Sequence, residues 1–248
     1  MQMQVDYGQR PAGSPQLRAL ARKLRPLLPD GHFEKIPGQP GLHNIVGELK
    51  GKGKAIVLGA HYDTLAKPKG FVGANNGAAG SAIVIEVARS LARLDRAASA
   101  PPIKFVLFDG EEPAQGLPEE QTDFYDAGLR GSRAYVKRYG TKTREMLLLD
   151  YVANKGLRLP REGSSTVDLW NQLRAAAQRA GKIKYFPDDV GETITDDHTP
   201  FLREGVPAVD LIDWDYPGHS LSDGMDKISV AATDAVGETV TELLRSAR

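Results

Sequence analysis

Apolar side chains at Leu17, Leu20, Ala21, Leu24 and Leu27 recur at the spacing of one helix face. Ser14-Pro15 just ahead of them supplies a capping hydroxyl and a proline suited to the first helical position. A first helix is predicted there. Two strand-like runs follow, 32–36 and 44–49, separated by the turn-rich Pro37-Gly38-Gln39-Pro40-Gly41, which predicts a hairpin. From Lys54 onward the pattern changes. Short, nearly continuous apolar runs at 55–60, 103–108, 146–152 and 208–212 alternate with segments of helical period at 81–94, 132–138, 167–180 and about 230–244. Strands that are apolar on both faces are those covered by crossover helices, so the fold class is α/β: a three-layer domain with a central mixed, mostly parallel sheet flanked by helices and the hairpin at one edge. The segment 113–130 has little periodicity, and irregular stretches of that length inside compact domains are usually functional.

The 248 residues are read as one domain, 1–248, large enough to bury its core without a staple. Composition then removes whole classes of function. With no cysteine there are no disulfides, cysteine-ligated metal sites or cysteine nucleophiles. Thirty-two Lys and Arg balance thirty-two Asp and Glu without forming a basic stripe, which argues against nucleic acid as a partner. No apolar run approaches the length of a membrane span, so no membrane partner is expected. The first residues lack the basic and apolar regions of a signal peptide, and the chain reads as soluble with its compartment left open.

Ligands of open α/β sheets bind beyond the carboxyl ends of the strands, and there the polar residues are concentrated. The first run leads into His61-Tyr62-Asp63, the second into Asp109-Gly110-Glu111-Glu112, the third contains Asp150, and the fourth leads to Asp213 and then His219. Any one of these alone is better explained as a solvated turn or a surface pair. Four successive strand tips offering imidazole or carboxylate to one edge point to a metal site, because nitrogen and oxygen donors suit zinc. Adjacent Glu111 and Glu112 leave the backbone in different directions, so one can ligate while its neighbour moves a proton. Asp150 closes an apolar run and needs a partner if buried.

In these residues the chain resembles the zinc aminopeptidase superfamily that also contains the glutaminyl-peptide cyclotransferases. The matching blocks are Gly59-Ala60-His61-Tyr62-Asp63-Thr64, Gly73-Ala74-Asn75-Asn76-Gly77-Ala78-Ala79-Gly80, Phe108-Asp109-Gly110-Glu111-Glu112, Leu149-Asp150, Asp196-Asp197-His198-Thr199-Pro200-Phe201-Leu202, and His219-Ser220 followed by Asp223 and Asp226-Lys227. The resemblance implies a zinc-exopeptidase-like fold. It would make Glu112 and His219 metal ligands with a third oxygen from Asn76, and would give His61 and Asp150 a second ion or a place lining the site. One zinc is favoured, two are allowed. Glu111 would be the general base or acid, Asp63 would orient His61, and Asp196 and His198 would sit beside the substrate. The plainer alternative for Asp196 is a cap on the helix that begins near Thr199.

The long interval between Glu112 and Gly131-Ser132 and the Asp196–Pro207 stretch look closer to the cyclase branch. The expected substrate is a peptide with a free N-terminus, and the favoured reaction is N-terminal glutamine to pyroglutamate with release of ammonia. The alternative is aminopeptidase hydrolysis of the first peptide bond. Three positions depart from the pattern. Asn76 stands where the family has aspartate, and a neutral amide binds a dication more weakly, which argues against a robust two-zinc site. Gly218 stands where cyclases carry tryptophan, and Leu117 where they carry another pocket residue; both are expected substrate-binding walls. These departures motivate a third reading, a binding protein that keeps the fold with impaired catalysis.

Overall fold

The computed structural model describes residues 1–114 and 123–247. Six strands, β1 His32–Lys35, β2 His43–Leu49, β3 Ala55–His61, β4 Ile103–Phe108, β5 Thr143–Leu149 and β6 Ala208–Leu211, form one sheet in the order β1-β2-β4-β3-β5-β6. Strands β1 and β2 make the expected edge hairpin, β2 pairs antiparallel with β4, and the remaining pairings are parallel. Eight α-helices lie among the described residues: α1 Gln2–Val5, α2 Pro15–Leu24, α3 Gly80–Leu91, α4 Phe124–Ala127, α5 Arg130–Tyr139, α6 Val167–Arg179, α7 Thr199–Arg203 and α8 Val230–Ser246. The Ser14 side chain accepts the amide of Leu17 at the start of α2, as the sequence predicts, and Ser229 caps α8 in the same way. Helices α1 and α4 are too short for periodicity to reveal, and α4 interrupts the segment expected to be irregular.

Alternation along the strands divides the core in two. Ile56, Leu58 and Ala60 of β3 and Leu147 and Leu149 of β5 face a large cluster with Leu20, Val84, Trp170 and Val236 from α2, α3, α6 and α8. Val57, Met146 and Leu148 face a smaller one with Tyr135 of α5 and Phe201 of α7. Each fully buried aliphatic side chain contributes about 1.5–3 kcal/mol, so both layers are held by the period-2 pattern itself. The consequence for function is topological. The chain leaves β3 toward β4 on one side and leaves β5 toward β6 on the other, so a crevice opens between the carboxyl ends of β3 and β5. Among the described residues no helix is long and apolar enough to cross a membrane.

Candidate active site

Parallel pairing sets His61 opposite Phe108, so the exits of β3 and β4 lie side by side. Two residues beyond His61, the Asp63 carboxylate accepts the backbone amides of Glu111 and Glu112, each at 3.3 Å. The carbonyls of the same turn are engaged from the other side. Leu129 N donates to Glu111, Arg130 N to Gly110, and the Arg130 guanidinium reaches Gly110 and Glu112. With amides and carbonyls both satisfied, the Glu111-Glu112 backbone is fixed and its side chains are delivered to the crevice.

Asn76 arrives on the turn Ala74–Ala79 between β3 and α3. Gly77 in that turn has φ +91°, and a Cβ there would lie 2.6 Å from the Asp63 carbonyl oxygen, so only glycine lets the turn rest on the strand tip. The amides of Asn75 and Asn76 both donate to the Asp223 carboxylate at 2.9 Å, and Asp223 accepts in turn from the Tyr216 hydroxyl at 2.7 Å. Buried Arg10 ties this turn to the strand, its guanidinium donating to the carbonyls of Tyr62, Val72 and Gly73.

These constraints put His61 among three carboxylates: Nδ1 is 3.5 Å from Asp63 and 3.6 Å from Glu111, and Nε2 is 3.5 Å from Asp150. Donor atoms of His61, Glu111 and Glu112 all lie within 4.8 Å of one another and are buried. Asn76 Nδ2 donates to Glu112 Oε1 at 3.0 Å. Both ring nitrogens of His61, Asn76 Oδ1 and Glu112 Oε2 are buried without a hydrogen-bond partner. An unpaired buried polar group costs about 1–3 kcal/mol, and the close donors of His61, Glu111 and Glu112 fit a divalent cation whose charge would satisfy them.

The electrostatics agree. Burial alone would lower the His61 pKa, but Glu111, Asp150 and Asp63 reverse that and raise it well above the ordinary value. Burial pushes Glu111 well up, with the Glu112 charge adding to it, and burial carries Glu112 up to about 8. Asp196 is raised to about 6 by burial and then by Asp150. Carboxyls gathered in this way resist ionising together, which is the condition under which one holds a proton for transfer.

A cavity of about 330 Å³ opens onto this cluster, lined by Asn76, Glu111, Asp150, Tyr151, Asp196 and His219, with Phe124, Ile194 and Trp214 as an apolar wall. Two roomier surface hollows, of about 690 and 650 Å³, are lined by none of these groups. Thus Asn76, Glu111, Asp150, Asp196 and His219 meet at one cavity, with His61, Glu112 and Asp63 packed behind it. His219, expected as a ligand beside Glu112, lies outside the His61-Glu111-Glu112 donor group; its exposed ring lines the cavity and stands edge-on to Tyr151.

Several expectations change. The carboxylate of Asp196 does not cap α7: the backbone carbonyl of Asp196 accepts Thr199 N, while one carboxylate oxygen takes the Asp197 amide and the other is buried without a partner. His198 is fully buried and absent from the cavity lining; its Nε2 meets Ser164 Oγ at 2.9 Å and lies 3.3 Å from Glu162, so it supports the wall from behind. Asp213 accepts from Asn154 and Arg158 N and serves the loop after β5. Gly218 lies against the Tyr151 ring. Leu117 lies outside the described residues.

Sequence reading did not find Arg10, Glu162, Tyr151 or Asp210. Asp210 had a signal, a charge inside the apolar run of β6, where it is completely buried with neither carboxylate oxygen hydrogen-bonded and one of them 3.6 Å from His198 Nδ1. Arg10 and Glu162 had none, being single charges in loops until tertiary packing buries them near the site, and Tyr151 lay unremarked within the apolar run 146–152.

Known proteins place this geometry in context. The glutaminyl-peptide cyclotransferase of Gloydius blomhoffii is 27% identical over 233 residues, 77% of this chain and 61% of that protein. The chain therefore spans less than two thirds of the length of that relative. A glutaminyl cyclase structure from Bacteroides thetaiotaomicron, bound to N-acetylhistamine, superposes with a TM-score of 0.84 at 29% identity, covering 100% of this chain and 95% of that one. A structure from the same organism described as a leucine aminopeptidase precursor gives 0.84 at 29% identity, covering 100% and 94%. The family described as Peptidase family M28 matches residues 44–244, the greater part of the sequence, and the chain belongs to that family.

Proposed function

We propose that the protein is a zinc-dependent enzyme acting on the free N-termini of peptides, and that it converts N-terminal glutamine to pyroglutamate with release of ammonia. One observation carries the reading: donor atoms of His61, Glu111 and Glu112 lie buried within 4.8 Å of one another, with Asn76 bonded to Glu112, beside a cavity that Glu111, Asp150 and Asp196 line. The cyclase names of several relatives support it.

His61, Asn76 and Glu112 would hold the ion, with His219 and Asp150 at the same cavity. Bound zinc would supply Lewis acidity toward the side-chain amide carbonyl of the substrate. Glu111, its carboxyl pushed up by burial and by Glu112, accepts a proton from the attacking α-amine and returns it to the departing ammonia. Asp150 and Asp196 draw the amino terminus into the cavity by charge, and Phe124, Ile194 and Trp214 exclude water from the reacting atoms. Asp63 keeps the Glu111-Glu112 turn in register through its two amide contacts.

Incubation of the zinc-loaded protein with Gln-Ala and Leu-Ala peptides tests the reading. Ammonia and a pyroglutamyl product from Gln-Ala are expected; a freed N-terminal residue from either peptide would instead establish hydrolysis, and absence of both products would refute both. The hydrolytic reading has its own support in the apolar wall, which suits a leucyl side chain, and in the aminopeptidase description of one similar structure. A catalytically impaired binding protein is the reading that Asn76 favours, since its Nδ2 donates to Glu112 where an aspartate would offer charge.

A further inference from the structure

Tyr151 lines the cavity and no step above uses it. Its backbone has φ +47°, a left-handed conformation that costs a non-glycine residue roughly 1–3 kcal/mol and persists where the surroundings impose it. The surroundings do so here. The ring stacks on Trp214 with centroids 6.2 Å apart and planes 8° from parallel, and stands edge-on to His219 at 6.0 Å and 88°. A Cβ on Gly218 would fall 2.4 Å from the Tyr151 Cζ, so the ring fills the space that any side chain at 218 would take. The hydroxyl lies 3.5 Å from Asn76 Nδ2, which also donates to Glu112.

The phenol is a neutral group with one O–H to donate. Around the same cavity Glu111, Asp150, Glu192 and Asp196 offer carboxylates, which as ions only accept; Thr193, Thr195, Trp214 and His219 also carry donors, and the Tyr151 hydroxyl is singled out by its contact with Asn76. A carbonyl oxygen that becomes negative among them needs a donor held in place beforehand. We propose that the Tyr151 hydroxyl is that donor, a catalytic residue hydrogen-bonded to the substrate oxygen as charge develops on it. The proposal rests on the reading of the site as one for N-terminal peptide chemistry and applies to cyclisation and hydrolysis alike. In cyclisation the α-amine nitrogen bonds to the side-chain carbonyl carbon and the C=O π electrons move to oxygen, where the Tyr151 O–H donates without giving up its proton. The electrons then return as the C–N bond breaks, and ammonia leaves with the proton carried by Glu111.

Tyr151→Phe tests this, since the ring and its packing are kept. Turnover is expected to fall on the order of 10²-fold or more, with KM within about twofold. Zinc stoichiometry and melting temperature should be unchanged. A phosphinic acid that mimics the tetrahedral intermediate should bind the variant weaker by a similar factor in calorimetry, while a pyroglutamyl peptide product binds both proteins equally. Unchanged turnover overturns the proposal, as does equal phosphinate affinity in the two proteins or failure of the phosphinate to bind the parent protein. Loss of zinc in the variant also overturns it, because the residue would then act on the ion site. Lack of turnover in the parent protein refutes the functional reading alone, since the phosphinate comparison still judges Tyr151.

Discussion

Arg10→Met removes a charge that lies ahead of the family-matched span yet sits under the site. The guanidinium is fully buried and donates to the carbonyls of Tyr62 at 3.3 Å and Gly73 at 3.0 Å, with further contacts to Gly8 and Val72. Burial lowers its pKa to about 10, with the charges of Asp63 and Asp223 working against that shift, and those two carboxylates hold the Glu111-Glu112 and Asn75-Asn76 amides. Methionine approximates the stem but takes the donor from the Tyr62 and Val72 carbonyls, at about 1–3 kcal/mol each where buried, while Gly73 keeps the Ala78 amide. It also removes the positive charge that acts at a distance on Asp63 and Asp223, which Arg10 does not contact as an ion pair. The guanidinium's own desolvation penalty is recovered, so a net destabilisation of roughly 3–5 kcal/mol is expected. For a chain of this size that is a fall in Tm of roughly 6–20 °C, read by calorimetry. Because the lost contacts join the Asn76 turn to the His61 strand tip, zinc should also dissociate on the order of tenfold more readily from variant protein still folded at low temperature. A Tm change under about 2 °C would refute the energetic reasoning. A large fall with zinc affinity and turnover intact would refute the claim that Arg10 positions the site.

Other substitutions probe separate parts of the cleft. Asn76→Asp places a carboxylate beside Glu112 and should tighten zinc on the order of tenfold while lowering the Tm in chelator, because two carboxylates then face each other without a cation; equal zinc affinity in calorimetry would contradict the ligand assignment. Glu111→Gln should cut turnover by on the order of 10²–10⁴-fold with zinc retained, and loss of zinc along with activity would mean that the two glutamates exchange roles. Glu162 accepts from Ser164, Ser165, Ile194 N and His198, and although burial opposes it, those bonds and the His198 charge hold its carboxyl down at about 2. A depressed folded pKa stabilises above the ordinary value of about 4.5 and the stability is lost as pH falls from there toward 2. Melting curves of Glu162→Gln should therefore lie below those of the parent protein at pH 7 and converge with them toward pH 2; a constant gap would sink the assignment.

What could be read from the chain and what could not divide along a physical line. Strand runs 55–60 and 103–108 and the tips His61, Glu111 and Asp150 are legible because burial on both faces forces continuous apolar stretches, and a stretch that stops abruptly at a titratable residue marks where the sheet meets its ligand edge. The direction of a loop side chain obeys no such periodicity. Asp196 and Asp213 are both aspartates beyond the sheet, yet one faces the cavity and the other braces the loop after β5, a difference set by partners far away in the chain.

Gly218 carries the same lesson further. Beside cyclases that have tryptophan there, it reads as a missing wall of the substrate pocket. In space nothing is missing, because the Tyr151 ring stands where a side chain at 218 would project and Trp214 stacks on its face. The two positions therefore constrain each other: a residue larger than glycine at 218 requires Tyr151 to leave, and with it the hydroxyl near Asn76 and Glu112. If Tyr151 donates as proposed, a wall built from the exit of β5 in place of the loop before His219 supplies the oxyanion contact together with the aromatic surface, and the departure at 218 is the space that the ring requires.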